Sequence, residues 1–364
     1  MRASRLLLSA AALAAIAAAA FVWTERLRVR HLALPMLEDP SDPPAQPEPL
    51  LDAPPCEAEP LAALGARVTA LLRADDGAVW AGTFEGGLYR LAPGAPPEPV
   101  PGLAGRERFV NALAQHDGLV WAATQGGLLA LDGDRRVATL LEADGVTSLA
   151  RAGGALYAGS ARGLHRVSAA RGAEPLAVTG PAGEPLRVTA LAAGGGTLWL
   201  GTPSGAYALP LATVDAPLLA RTARFVPLVF GAPGAETNVV TALAGLADGA
   251  VAGTDDGGLV RLRSSGEVVA ARFAEARANA VSPGAAAPAG AGAAFGTQGG
   301  GLLLARAAGP GMAVTRPRGL AGADLSAVAG DGPGLLTGSA SGAVVALRCE
   351  PELAARAGEA GGPR

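Results

Sequence analysis

A short β-meander that recurs seven times, with glycine turns at matching places and a spacing of about 40 residues, predicts an all-β fold, a seven-bladed β-propeller. The clearest copy is Val68–Leu91. Its β-prone runs Val68–Leu72, Ala78–Thr83 and Leu88–Leu91 are separated by Asp75-Asp76-Gly77 and Glu85-Gly86-Gly87. Asp-Gly and Gly-Gly favour hairpin turns because glycine reaches positive φ without a Cβ clash. Helical repeats would instead show apolar spacing of about 3.6 residues and fewer glycine turns.

In chain order, the first segment is residues 1–23. Arg2 and Arg5 precede Leu6–Trp23, an uncharged Leu/Ala-rich run. Its length is close to the roughly 20 residues that a spanning helix needs. Two readings compete. A signal peptide would be cleaved after Ala18-Ala19-Ala20, before Phe21. A signal anchor would keep the whole run to Trp23, an interface-type residue, and this transmembrane reading is the favoured one. Either exports the rest of the chain. The anchor holds the propeller in the periplasm on the inner membrane; cleavage would secrete it.

Residues 24–55 are predicted to be a Pro-rich linker, with Pro35, Pro40, Pro43, Pro44, Pro47, Pro49, Pro54 and Pro55. Proline lacks an amide donor and favours extended polyproline II, so the segment reads as a semi-rigid spacer. Asp52-Ala53-Pro54-Pro55 before Cys56 is not a lipidation signal.

The propeller is predicted over 56–349, with a disordered tail at 350–364. The meander copies begin at 68, 110, 146, 188, 240, 278 and 325. The sixth, from Ala278 to Ala305, is the most degenerate. Each unit has three clear strands, and the residues between units can hold a fourth, outer strand such as Pro97–Val100. The position of Trp80 is taken in turn by Trp121, Tyr157, Trp199, Val251, Ala294 and Leu336. These side chains are expected to pack between blades, each aromatic ring contributing a few kcal/mol. The Gly-Thr pair after them, as in Gly82-Thr83, is expected to allow close backbone approach and to fix the next turn.

Val68-Thr69-Ala70-Leu71, Asp76-Gly77-Ala78-Val79-Trp80-Ala81-Gly82-Thr83 and Gly86-Gly87-Leu88-Tyr89-Arg90-Leu91 together resemble the two-component regulator propeller repeat. The resemblance spans about Cys56–Cys349, is good in the first four copies and fades in the last three. It implies a propeller of the kind that forms the periplasmic sensor regions of bacterial hybrid histidine kinases, and that also occurs alone. No kinase, receiver or DNA-binding segment is present in the sequence, so it does not imply signal output.

Two candidate recognition surfaces emerge from the repeat. The residue after the first Val of each copy is Thr69, Asn111, Thr147, Thr189, Thr241, Asn279 or Ser326, all small and polar. If that strand is innermost, these side chains ring the central channel. They could contact a ligand, or their hydroxyls could bond within the adjacent turn. The loops entering the inner strands and the turns after Gly-Thr should share one face. They supply Arg67, Arg108, Arg187, Asn238 and Arg277 from the loops, and Glu85, Gln125, Arg162 and Gln298 from the turns. Arginine forks suit carboxylates, sulfates or an acidic partner surface. A solvated rim would share this composition.

A ring must be closed. After Leu347 the last blade lacks an outer strand, and Cys56–Leu64 has no other blade to join. That segment is expected to supply the missing strand. Cys349 would then end the third strand where Cys56 begins the fourth, and a disulfide can replace the absent hairpin. In the chain-entropy picture so long a loop stabilises by roughly 5–6 kcal/mol. The alternative is two unpaired, small apolar side chains.

Composition narrows function. The 364-residue chain carries a formal charge of −3, which excludes a general nucleic-acid-binding surface. Three His (His31, His116, His165) and two Cys leave too few ligands for a nitrogen- or sulfur-based metal site, and no cofactor is predicted. His116, placed in a turn, and His165, on a third strand, occupy positions where other copies have no His. No nucleophile–base motif includes them. The reading is a non-enzymatic binding or scaffold propeller for a protein or an extracellular small molecule or glycan. The alternative is a sensor accessory that passes a ligand signal to a separate histidine kinase. A propeller lyase or hydrolase is the third reading.

Overall fold

Each repeat forms one four-stranded antiparallel blade, and seven blades close into a ring. A computed structural model describes residues 50–349 apart from 143, 180–184, 215–223, 227–238, 310, 332 and 333. These residues belong to one compact unit. The predicted N-terminal helix, most of the linker, Asn238 and the tail lie outside them. Among the described residues no helix is long and apolar enough to cross a membrane.

Blade 1 runs outward from the inner strand Val68–Arg73 through Val79–Thr83 and Leu88–Leu91 to the short outer strand Glu98–Pro99. The inner strands of blades 2 to 5 are Val110–His116, Val146–Ala152, Ala190–Gly194 and Val240–Leu246. Blade 6 begins with Val281–Ala289 and blade 7 with Leu325–Asp331. His116 therefore ends an inner strand rather than lying in a turn.

The expected closure is present. Glu57–Ala63 pairs antiparallel with Ala343–Arg348 as the outer strand of blade 7, in the register Glu57↔Arg348 to Ala63↔Ala343. The Cys56–Cys349 disulfide joins the two strand ends. Leu51–Ala53, within the segment read as a spacer, adds a parallel fifth strand to Gly311–Pro317 of blade 6. Ala53 is buried there, and the Arg318 amide donates to its carbonyl at 2.9 Å.

The core lies between blades rather than within one layer. Seven apolar clusters each join two adjacent blades, from Trp80, Leu88, Val110 and Leu129 at blades 1 and 2 round to Val68, Val79, Leu336 and Val344 at blades 7 and 1. Trp80, Trp121 and Trp199 are fully buried, as their spacing predicted. The Gly-Thr pair does both jobs expected of it. A Cβ on Gly82 would fall 2.4 Å from Val110 Cγ1 of the next blade, and the same glycine–valine approach recurs from Gly159 to Val188, Gly201 to Val240 and Gly253 to Val281. The buried Thr83 hydroxyl donates to the Gly87 carbonyl at 2.8 Å and fixes the turn. Thr124, Thr202, Thr254 and Thr297 repeat that bond at 2.7–3.0 Å.

Candidate functional site

Backbone hydrogen bonds stitch the loops before the inner strands to the turns after Gly-Thr. The Phe84 amide donates to the Arg67 carbonyl at 2.9 Å, Gly87 to Arg108 at 3.0 Å, Gln125 to Phe109 at 3.0 Å and Gln298 to Ala280 at 2.9 Å. One face of the ring thus gathers Arg67, Glu85, Arg108, Gln125, Arg162, Arg187, Arg277 and Gln298. All are exposed except the half-buried Gln125. Among the described residues no ion pair engages Arg67, Arg108, Arg187 or Arg277. Arg162 lies 3.8 Å from the buried Asp144 carboxylate.

The channel ring has a different occupation. The inner strands of blades 1, 2, 3, 5 and 7 carry a register shift after their first residue, as between Val68 and Ala70, so the polar residue sits in a β-bulge, whereas in blade 4 Thr189 just precedes the strand Ala190–Gly194. Its side chain reaches the next blade. Thr69 donates to the Val110 carbonyl at 2.5 Å, Asn111 to Val146 at 2.7 Å, Thr147 to Val188 at 2.7 Å and Thr189 to Val240 at 2.6 Å. Ser326 of blade 7 donates to Val68 of blade 1 at 2.6 Å and joins the last blade to the first. Thr241 instead bonds Gly253 of its own blade at 3.2 Å. Five of these groups, Thr69, Asn111, Thr147, Thr189 and Ser326, join one blade to the next, a use the sequence reading did not include.

Asn279 is not a member of this ring. Its amide braces the loop before blade 6, with Oδ1 accepting from the Phe273 amide at 2.7 Å and Nδ2 donating to the Phe273 carbonyl at 2.8 Å. The sixth copy is in register from Val281, which packs on Gly253 and pairs with Thr297. Ser282 therefore holds the ring position. The Ala-Asn-Ala of the expected start matched the motif three residues too early. The bulge after Val281 is also longer, with pairing resuming only at Ala286. It carries Gly284 to the Asn111 strand, where an added Cβ would lie 3.6 Å from the Asn111 carbonyl. The remaining channel cavity, about 260 Å³, is lined largely by Ala and Leu of the inner strands, with Thr69, Asn111, Thr147 and Thr189 among them.

Among the described residues three ionisable groups are shifted. Burial opposes ionisation of Glu107, but Arg136 and the Ala104 amide outweigh it and hold the carboxyl below its usual range. Arg136 grips both oxygens at 2.9 and 2.7 Å, and the Ala104 amide donates at 3.1 Å. This fastens the one-turn Gly105–Arg108 helix that carries Arg106 and Arg108. The Ala78 amide and then Arg90 lower Asp76. Burial lowers His165, and the nearby Asp144 partly opposes the shift. His165 and His116 are both buried, and neither lines the channel. His116 Nε2 lies 3.4 Å from Asp117 Oδ2. Among the described residues no cluster of His, Cys, Asp or Glu could hold a metal.

One feature of this face was missed. Phe84 and Phe109 stack edge to face, with ring centroids 4.9 Å apart at 88°. Phe84 is 47% exposed. Its signal was available in the repeat: the equivalent first residue of the turn is Gln125, Ala161, Pro203, Asp255, Gln298 or Ala340 elsewhere.

No family model matches the chain, and no curated protein sequence matches it. Solved propellers do. The extracellular domain of a putative hybrid two-component system from B. thetaiotaomicron superimposes with a TM-score of 0.60 at 18% identity, covering 80% of this chain and 39% of that one. Virginiamycin B lyase from Staphylococcus aureus gives 0.60 at 12% identity, covering 81% and 99%. YCF48 bound to D1 peptide gives 0.58 at 12% identity, covering 83% and 99%. At these identities the likeness is one of fold.

Proposed function

We propose that the chain is an exported, membrane-anchored propeller that binds a protein partner and catalyses no reaction. One observation carries this reading. The face built by the loops before the inner strands and the turns after Gly-Thr holds Arg67, Arg108, Arg187 and Arg277 without carboxylate partners among the described residues, on a ring closed by strand, disulfide and inter-blade bonds. Loops on a rigid ring present side chains for recognition at little ordering cost. Most of the small polar ring of the channel is engaged in bonds between blades, which favours the face as the recognition surface. A peptide-bound structural neighbour, YCF48 with D1 peptide, supports a protein partner over a glycan or small molecule.

Catalysis has little support in the geometry. A lyase is among the structural neighbours. The channel here is lined by no histidine, and the two described imidazoles are packed inside blades 2 and 3.

The second reading is a sensor accessory of the two-component regulator propeller type. The repeat motif and the hybrid two-component neighbour favour it. Capture from solubilised membranes tests the first reading. Wild-type protein is expected to retain a partner that an Arg67→Ala/Arg108→Ala/Arg187→Ala/Arg277→Ala variant loses. Equal recovery would remove the arginine face as the binding surface. Recovery of a histidine kinase as the partner would turn the conclusion to the accessory.

A further inference from the structure

The Phe84–Phe109 pair is not required by the fold. The six other blades have Gln125, Ala161, Pro203, Asp255, Gln298 or Ala340 at the Phe84 position, none of them a large apolar side chain. The residue preceding the inner strand is Arg67, Gly145, Arg187, Val239, Ala280 or Asp324 where blade 2 has Phe109. Yet Phe84 is 47% exposed and sits edge to face on Phe109. Among the aromatic side chains whose burial is described, it is the one that is exposed. Two rings in contact make a contiguous apolar patch, and such a patch rimmed by polar residues marks an interaction site.

The surroundings set the chemistry of the partner. Phe84 takes the Arg67 carbonyl, Gly87 takes that of Arg108, and Gln125 takes that of Phe109, so these residues form one continuous patch. Among the described residues no salt bridge joins Arg67, Arg106 or Arg108 to a carboxylate. Glu107, in the same loop as Arg106 and Arg108, is occupied by Arg136. The loop is thus held in place by an ion pair that leaves its own arginines uncommitted. Glu85 is an exposed carboxylate in the patch and adopts φ of 71°.

We propose that Phe84 and Phe109, flanked by Arg67 and Arg108, form a docking site for an acidic segment of a partner protein that carries one apolar anchor residue. The inference rests on reading this face as the recognition surface, and it narrows that surface to the boundary of blades 1 and 2. The apolar anchor covers the Phe84 ring, and the arginines take the flanking carboxylates as charge-assisted hydrogen bonds. Electrostatic complementarity of this kind is salt-sensitive and sets both encounter rate and register.

Selection of short random peptides on the immobilised full-length protein tests it. The enriched peptides are expected to carry several Asp or Glu beside an aromatic or Leu. A synthetic version should bind about ten-fold more weakly to Phe84→Ala and to Arg67→Ser/Arg108→Ser, the loss of one well-packed anchor. Phe84→Leu should keep most of the affinity, Glu85→Gln should raise it, and Arg135→Ser on the outer strand of blade 2 should not change it. Added salt should weaken it. Neutral or basic peptides as the enriched class would overturn the proposal. Acidic peptides that bind Phe84→Ala as tightly as wild type would overturn this site and leave the binding propeller standing. No enrichment on the wild type would remove both. Far-UV circular dichroism and an intact disulfide in each variant separate lost binding from lost folding.

Discussion

Glu85 holds a left-handed backbone conformation, φ 71°, at a turn position where blade 6 has Gly299 at 87°. A Cβ in that region costs about 1 kcal/mol. Glu85→Gly is expected to raise the unfolding free energy by about 0.5–1 kcal/mol in urea titration, and no gain would mean the turn relaxes at no cost. Two titrating groups add pH dependence. Burial lowers the pKa of His165 below 6.5 in the fold. Between that lowered value and 6.5 the unfolded chain binds more protons, so stability falls as pH drops below 6.5. His165→Gln should flatten that part of the profile; an unchanged slope would assign it elsewhere. Glu107 is a carboxylate whose charged form the fold favours. Its depressed carboxyl contributes stability above pH 4.5 that is lost as pH falls through the folded value. Little of this was legible in the sequence, where nothing links Glu107 to a partner. Its partner Arg136 is 29 residues away.

At the scale of the blade, the repeat was legible because each unit buries the same interface. It faded where the interface exchanges volumes between its two sides. Trp80 shares its interface with Ala122, and Trp199 with Ala252. In the fifth interface the large residue crosses over, with Val251 on one side and Phe295 on the other. A motif search for an aromatic at the Trp80 position therefore loses blade 5, and in blade 6 the longer bulge hides the start as well. Val251→Trp alone is expected to overpack the interface by about 1–3 kcal/mol. Val251→Trp/Phe295→Ala should recover most of that, giving a clear interaction energy in a double-mutant cycle of urea midpoints. Additive losses would show that the two positions are uncoupled. The bulge residues give a smaller test. Ser326→Ala removes the bond to Val68 and should cost about 1 kcal/mol.

For the whole molecule the governing problem is that a ring has no natural start. The last blade is completed by Glu57–Ala63 from the beginning of the propeller, and Cys56–Cys349 fixes that seam across a separation of 293 residues. Closure was legible because both unpaired segments and both cysteines lay at the limits of one repeat array. The parallel strand Leu51–Ala53 was not, since Pro49, Pro54 and Pro55 around it read as a spacer. The disulfide acts mainly on the unfolded chain, which it holds in a loop with roughly 5–6 kcal/mol less conformational freedom to gain. Cys56→Ser/Cys349→Ser should therefore lower the unfolding free energy by several kcal/mol. It should also raise the urea m-value, because an open denatured chain exposes more surface than a closed one. The two readouts separate the causes. A lost native contact alone would shift the midpoint at constant m, whereas a seam that works through the denatured state must change both.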